Sequence, residues 1–116
     1  MTAFTTATGF DDGIDVHGTC LQGHVSCSYG DIVKCFGEPI DLAGMTIDGK
    51  SDVEWVIEFE DGTVATIYNW KNGPAYCGPQ GTPVKSIRHW NIGGKSYKAR
   101  DLVVTELTVS MLKESS

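Results

Sequence analysis

The chain has 116 residues, 15 acids against nine bases and a formal net charge of −6, so it holds one domain with room for one core. That acidity argues against non-specific binding to nucleic acid or to an anionic membrane. No apolar run reaches spanning length and the N-terminus shows no basic-then-apolar leader, which predicts a cytoplasmic protein whose Cys20, Cys27, Cys35 and Cys77 are reduced thiols.

Residues 1–13 are rich in Thr, Ala, Gly and Asp and lack periodicity; they read either as a loose arm or as an edge strand. Residues 14–116 read as a single domain. Gly18–Val25 is expected as a short strand. His17, Cys20, His24 and Cys27 form an H-x2-C-x3-H-x2-C pattern of legitimate zinc ligands, but the spacing matches no standard zinc module. A strand would also turn some of these side chains to opposite faces, so neither a metal nor another cofactor is expected. Ser28 caps a helix with Asp31 in its first turn, Ile32, Val33 and Phe36 form its apolar face, and Gly37 and Pro39 end it. Asp41–Asp52 reads as a polar loop.

Val53–Trp70 has the pattern of a hairpin. Asp61-Gly62 between two β-rich runs is a type I′ signal, and a two-residue loop would set Trp55 opposite Tyr68 on one buried aromatic face. The same register sends Val56 and Ile67 to the other face, where they would need cover from another element or a second copy. Lys71–Ser86, with Gly73, Pro74, Gly78, Pro79, Gly81 and Pro83, reads as a long connection without regular structure, the kind of segment that carries function. Ile87–Ile92 follows as a strand ended by Gly93-Gly94. Ser96 then caps a final helix whose stripe is Ala99, Leu102, Val103, Leu107 and Met111. The expected fold is α+β: a small antiparallel sheet in the order β-α-β-β-β-α, with two helices packed on one face.

Charge is unevenly placed. Residues 1–70 carry a formal charge of −10 and residues 101–116 one of −2, whereas residues 71–100 contain no acid and carry +6. One reading is that the basic stretch merely neutralises the acidic one across the fold; the other is a local field that attracts a compact anion. The second reading gains from the aromatic and amide side chains interleaved with the bases. A nucleotide site needs aromatic faces for the base, amides for its edge, and cations or free N–H groups for phosphate. The candidate ligand-binding residues are Asn69, Trp70, Lys71, Tyr76, Arg88, Trp90, Asn91, Lys95, Ser96 and Lys98. Gly93-Gly94-Lys95-Ser96 lacks the first half of a P-loop and is not read as one. Trp90 stands either in the core or against a base. Glu54, Glu58 and Glu60 alternate on one strand, as solvent-facing acids do. With no nucleophile elbow and no cysteine beside a base, no catalytic residue is assigned and the chain is not expected to be an enzyme.

The strings "YGDIVKCFGEP", "DVEWVIEFEDGTVATIYNWKNG" and "IRHWNIGG", with the helix after them, resemble a widespread group of small tailed-phage proteins. The resemblance covers about residues 20–112, and "DGTVATIYNWKNG" is its most specific part. It implies a phage protein acting in the cytoplasm of an infected bacterium. Compact phage proteins of this type include inhibitors of bacterial immunity, notably sponges for the nucleotide second messengers of CBASS or Thoeris defence. The expected function is therefore a non-catalytic homo-oligomer that sequesters such a messenger through residues 69–98, with no membrane and no long nucleic acid as partner. The alternative is a phage inhibitor that binds a host protein directly through its acidic surface.

Overall fold

The structure is a computed structural model, and it describes residues 3–9, 13–42 and 50–115. Most of the loop expected at 41–52 lies outside the described residues. The elements are β1 (Phe4–Thr6), β2 (Cys20–Ser26), α1 (Tyr29–Phe36), β3 (Ile40–Asp41), β4 (Val53–Phe59), β5 (Val64–Tyr68), a one-turn α2 (Pro74–Cys77), β6 (His89–Gly94) and α3 (Lys98–Ser115). The fold is α+β, with every strand pairing antiparallel: β1-β4-β5-β6-β2, and β3 joined to the far end of β4. Within the N-terminal stretch, Phe4–Thr6 forms an edge strand, with Phe4 opposite Phe59.

Helix α1 starts and stops as its sequence dictates. Ser28 Oγ accepts from the Asp31 N–H at 3.0 Å while the Asp31 carboxylate accepts from the Ser28 N–H at 3.1 Å, a closed capping box. The Gly37 N–H returns to the Val33 carbonyl at 2.8 Å. Helix α3 begins slightly later than expected. The Asp101 N–H bonds to the Tyr97 carbonyl, so Tyr97 rather than Ser96 stands at the cap. Its expected stripe is real: Ala99, Val103 and Leu107 are fully buried, and Leu102 and Met111 pack at the edge.

Both helices cover one face of the sheet, and the core lies between. Ile32 and Phe36 from α1 and the α3 stripe meet Trp55, Ile57, Phe59, Ala65, Ile67, Trp90 and Ile92 from the strands. The indoles of Trp55 and Trp90 meet edge to face, 5.3 Å between centroids and 82° between planes. Each buried indole N–H has an acceptor. Trp55 Nε1 donates to the Gly37 carbonyl at 2.7 Å and Trp90 Nε1 to the Cys27 carbonyl at 3.1 Å.

The hairpin corrects the expected register. Trp55 lies opposite Ile67, and Tyr68 opposite Glu54. The loop holds three residues, not two. The Gly62 N–H bonds to the Phe59 carbonyl at 2.9 Å, closing a type I turn over Glu60-Asp61, and Gly62 then takes φ +90° so that the Phe59 N–H meets the Thr63 carbonyl. Asp61 Oδ1 also accepts from the Thr63 N–H, which favours this turn over type I′. One residue of slip reverses every side chain of one strand. Ile67 therefore joins the core, and Tyr68 leaves it for the helix-free face. Val56 does face away from the helices, but Ala7, Ile40 and Leu42 bury it within the chain. Ile67 and Val56 are therefore both covered within the chain and leave no apolar patch there for a second copy.

Two further expectations change. Gly93 and Gly94 belong to β6 rather than ending it. The connection 71–86 is not irregular throughout: it contains α2 and two 3-10 turns, Gly78–Gln80 and Val84–Ser86.

Candidate functional site

On the helix-free face, Tyr68 of β5, Asn91 of β6 and His24 of β2 stand in one row across three paired strands. They line a hollow of about 460 Å³ with Leu21 and Trp70. A second hollow, about 260 Å³, adjoins it and shares Tyr68 and Trp70; Thr19, Cys20, Ser51, Glu54, Thr66 and Gly93 complete it. Gly93 is required by the closeness of the floor: a Cβ there would sit 2.5 Å from Thr66 Oγ1. The rings of Tyr68 and Trp70 are 6.2 Å apart at 79°, so they form a corner rather than a stack. Trp70 is 41% exposed and Leu21 52%. These are large apolar surfaces left in water beside polar groups, as in many ligand sites.

Two ammonium groups stand over Trp70: Lys50 Nζ at 5.3 Å and Lys71 Nζ at 6.0 Å from the ring centroid. Lys71 Nζ also lies 5.4 Å from the Tyr76 ring. Among the described residues Lys71 is the one non-glycine with positive φ, at 60°. The conformation is held by a buried clamp beneath it. Asn69 Oδ1 accepts from the Asp52 N–H at 2.8 Å and the Val53 N–H at 3.3 Å, while Asn69 Nδ2 donates to Asp52 Oδ2 at 2.7 Å and Asn72 Oδ1 at 3.1 Å. Asp52 Oδ1 accepts from the Ala75 N–H at 2.8 Å, and the Lys71 N–H bonds to the Lys50 carbonyl at 2.9 Å. The chain is thus locked on both sides of Trp70 and Lys71.

The ten candidate residues do not form one site. Trp70, Lys71 and Asn91 gather at the groove, with Tyr76 against Lys71. Asn69 is fully buried and supports the groove from below, its amide engaged by backbone and Asp52. Trp90 is 1% exposed in the core, so it offers no face to a base. Arg88 and Ser96 are exposed away from the groove lining. Lys95 pairs with Asp15 at 3.5 Å, Lys98 pairs with Asp61, and Arg100 reaches Asp101. Two of the six cations of the acid-free stretch therefore meet carboxylates of distant segments and a third meets its chain neighbour, which is in part the neutralising reading of its charge. The Lys98 ammonium, followed by the Thr63 N–H, holds the Asp61 carboxyl well below the usual carboxylate range.

Sequence reasoning missed Tyr68, His24, Leu21 and Lys50. Tyr68 was lost to the register, and His24 was weighed only as a metal ligand. Among the described residues no cluster of three His, Cys, Asp or Glu could hold a metal ion. Cys27 is buried in the core, and burial pushes its thiol up to about 11, as it does for Cys35.

Another hollow, about 360 Å³, is lined by Glu38, Asp41 and Asp52 with Lys85 as its one cation among the described residues. Three carboxylates there oppose an anionic ligand. No helix among the described residues is long and apolar enough to cross a membrane. In comparisons with known proteins, no family model and no curated protein matches the chain.

Proposed function

We propose that the protein is a non-catalytic, cytoplasmic phage protein that sequesters a nucleotide second messenger of bacterial anti-phage defence, and that it does so on the helix-free face. The base stacks on Trp70 against the edge of Tyr68, and its own edge meets Asn91 and His24. The phosphate lies toward Lys50 and Lys71. Ser51, Thr66 and Glu54 in the adjoining hollow offer acceptors to the sugar hydroxyls. The observation that carries the reading is the locked Trp70-Lys71 pair beside Tyr68. A lysine held in a left-handed conformation costs about 1–2 kcal/mol relative to glycine, a strain that clusters at ligand sites.

The test uses Lys71→Gly. Glycine suits φ 60°, so this variant keeps or slightly raises stability while it removes one cation. A panel of cyclic and linear nucleotides is added to both proteins, and binding is read by native mass and thermal shift. The parent is expected to bind at least one nucleotide and release it intact after heat denaturation. Lys71→Gly should weaken that binding by about 1–3 kcal/mol. A panel in which nothing binds the parent, or recovery of a hydrolysed product, would end the reading.

A further inference from the structure

The sheet ends differently on its two sides. Beyond β4 the edge is broken into two short strands, β1 of three residues and β3 of two. On the other side β2 runs for seven residues, with no strand beyond it among the described residues. Short edges resist pairing with another chain, and long ones are normally guarded by charge or proline. Residues 16–30 contain no Asp, Glu, Lys, Arg or Pro. One bulge, between Leu21 and Gly23, leaves residues 23–27 in regular register with β6, where the Cys27 N–H bonds to the Arg88 carbonyl at 3.0 Å. Backbone groups alternate sides along a strand, so Gly23 and Val25 also turn theirs to β6, while His24 and Ser26 turn theirs to the open side.

We infer that β2 pairs antiparallel with β2 of a second copy, about a two-fold axis that passes Val25, the centre of the regular stretch. His24 then faces Ser26 of the second copy and the reverse, so the outward N–H and C=O groups satisfy one another in a self-complementary ladder. Val25 is half-buried against the core, and its counterpart covers the rest. Charge favours a copy of this chain at this place. The chain carries −6 and would repel itself elsewhere, but residues 16–30 bring no acid to an acid. On the helix side Arg100 lays its stem across Gly23, where a Cβ would sit 2.9 Å from Arg100 Cγ, and its guanidinium is paired with Asp101. Leu21, 52% exposed, and Tyr97, 69% exposed and one turn before Arg100, supply the flanking apolar area that a stable dimer needs. An axis of this kind runs perpendicular to the sheet, so both helix-free faces lie on one side. Leu21 and His24 also line the groove, so the second copy's strand borders it and two grooves share one continuous face.

The experiment is sedimentation velocity of the full chain across the micromolar range, without ligand, on the parent, Ser26→Pro, Ser26→Lys and Thr5→Lys. Ser26 is exposed and its N–H makes no bond to β6, so both of its variants should fold, and near-UV circular dichroism checks that they do. Thr5, exposed on β1, is the control at the other edge. The parent should sediment as a dimer at the top of the range, and each Ser26 variant should weaken association about tenfold or more while Thr5→Lys leaves it unchanged. Amide hydrogen exchange gives a second reading: the His24 and Ser26 N–H groups should exchange about tenfold more slowly in concentrated parent than in dilute parent. A parent that stays monomeric throughout would overturn the inference. So would a dimer whose His24 and Ser26 amides keep their dilute rates, or one that Thr5→Lys disrupts and both Ser26 variants leave intact. None of these outcomes bears on whether the groove takes a nucleotide.

Discussion

The two faces of this sheet are built from the same strands and have opposite characters. The covered face holds Trp55, Trp90, Ile57, Ile67 and Ile92, closed by α1 and α3, and its two buried indole N–H groups are bonded to carbonyls. The other face carries Val56 under Ala7, Ile40 and Leu42, and then opens into Tyr68, Trp70, His24 and Asn91. Aromatic residues thus serve two ends. On one face they supply buried area. On the other they are held in water by a backbone clamp, at a cost that packing alone does not explain.

The sharpest way to break this contrast is to remove one tryptophan from each face. Trp55→Ala should cost about 3–5 kcal/mol in urea unfolding, because a fully buried indole leaves a cavity. Trp70→Ala should cost about 1 kcal/mol or less in the same assay, while nucleotide binding falls below detection. Similar losses of stability from both would mean that the open face is simply a second core.

The turn sharpens the comparison, since it decides which face receives Tyr68. Gly62→Val should cost about 1–2 kcal/mol, because φ +90° excludes a β-branched side chain. Asn at the same site should cost less, since it tolerates the left-handed region. A variant Gly62→Val as stable as the parent would contradict the three-residue loop.

The smallest effect separates the cysteines. Cys20, beside the groove, and Cys77 are exposed, whereas Cys27 and Cys35 are buried or half-buried with thiols raised to about 11. At neutral pH an alkylating reagent should add two groups quickly and the other two only after unfolding, as counted by intact mass. Because the folded state holds those two protons more tightly, their contribution to stability persists below the free thiol range and fades as pH rises toward 11. Four equal rates would show that the covered face is open.

Much of the fold was legible because its signals are local. The Ser28–Asp31 capping box, the Gly37 stop and the α3 stripe each depend on residues within a few positions of one another. The hairpin was legible as a hairpin but not in its register. Asp61-Gly62 serves both a two-residue type I′ loop and a three-residue loop with Gly in the left-handed region, and the difference is settled by what each register buries. That single residue hid Tyr68. The basic stretch misled in another way. Its charges are contiguous in sequence, but Lys95 and Lys98 are carried to Asp15 and Asp61, which lie far off along the chain. Of the candidate residues, Trp70, Lys71 and Asn91 do gather at one groove, because Asn91 pairs with Tyr68 at the end of β5 and Trp70 and Lys71 follow directly in the chain. Lys50 joins them through the Lys71 N–H to Lys50 carbonyl bond and through its ammonium over Trp70, contacts no local pattern announces.

The central claim is that ligand chemistry belongs to the helix-free face, and amide chemical-shift mapping tests it most directly. A 15N-labelled sample is titrated with AMP. The account predicts that the shifts concentrate at Leu21, His24, Tyr68, Trp70, Lys71 and Asn91, with the amides of α1 and α3 unmoved. Shifts centred instead on Arg88, Lys95 and Ser96 would contradict it and return the site to the acid-free stretch as the sequence first presented it.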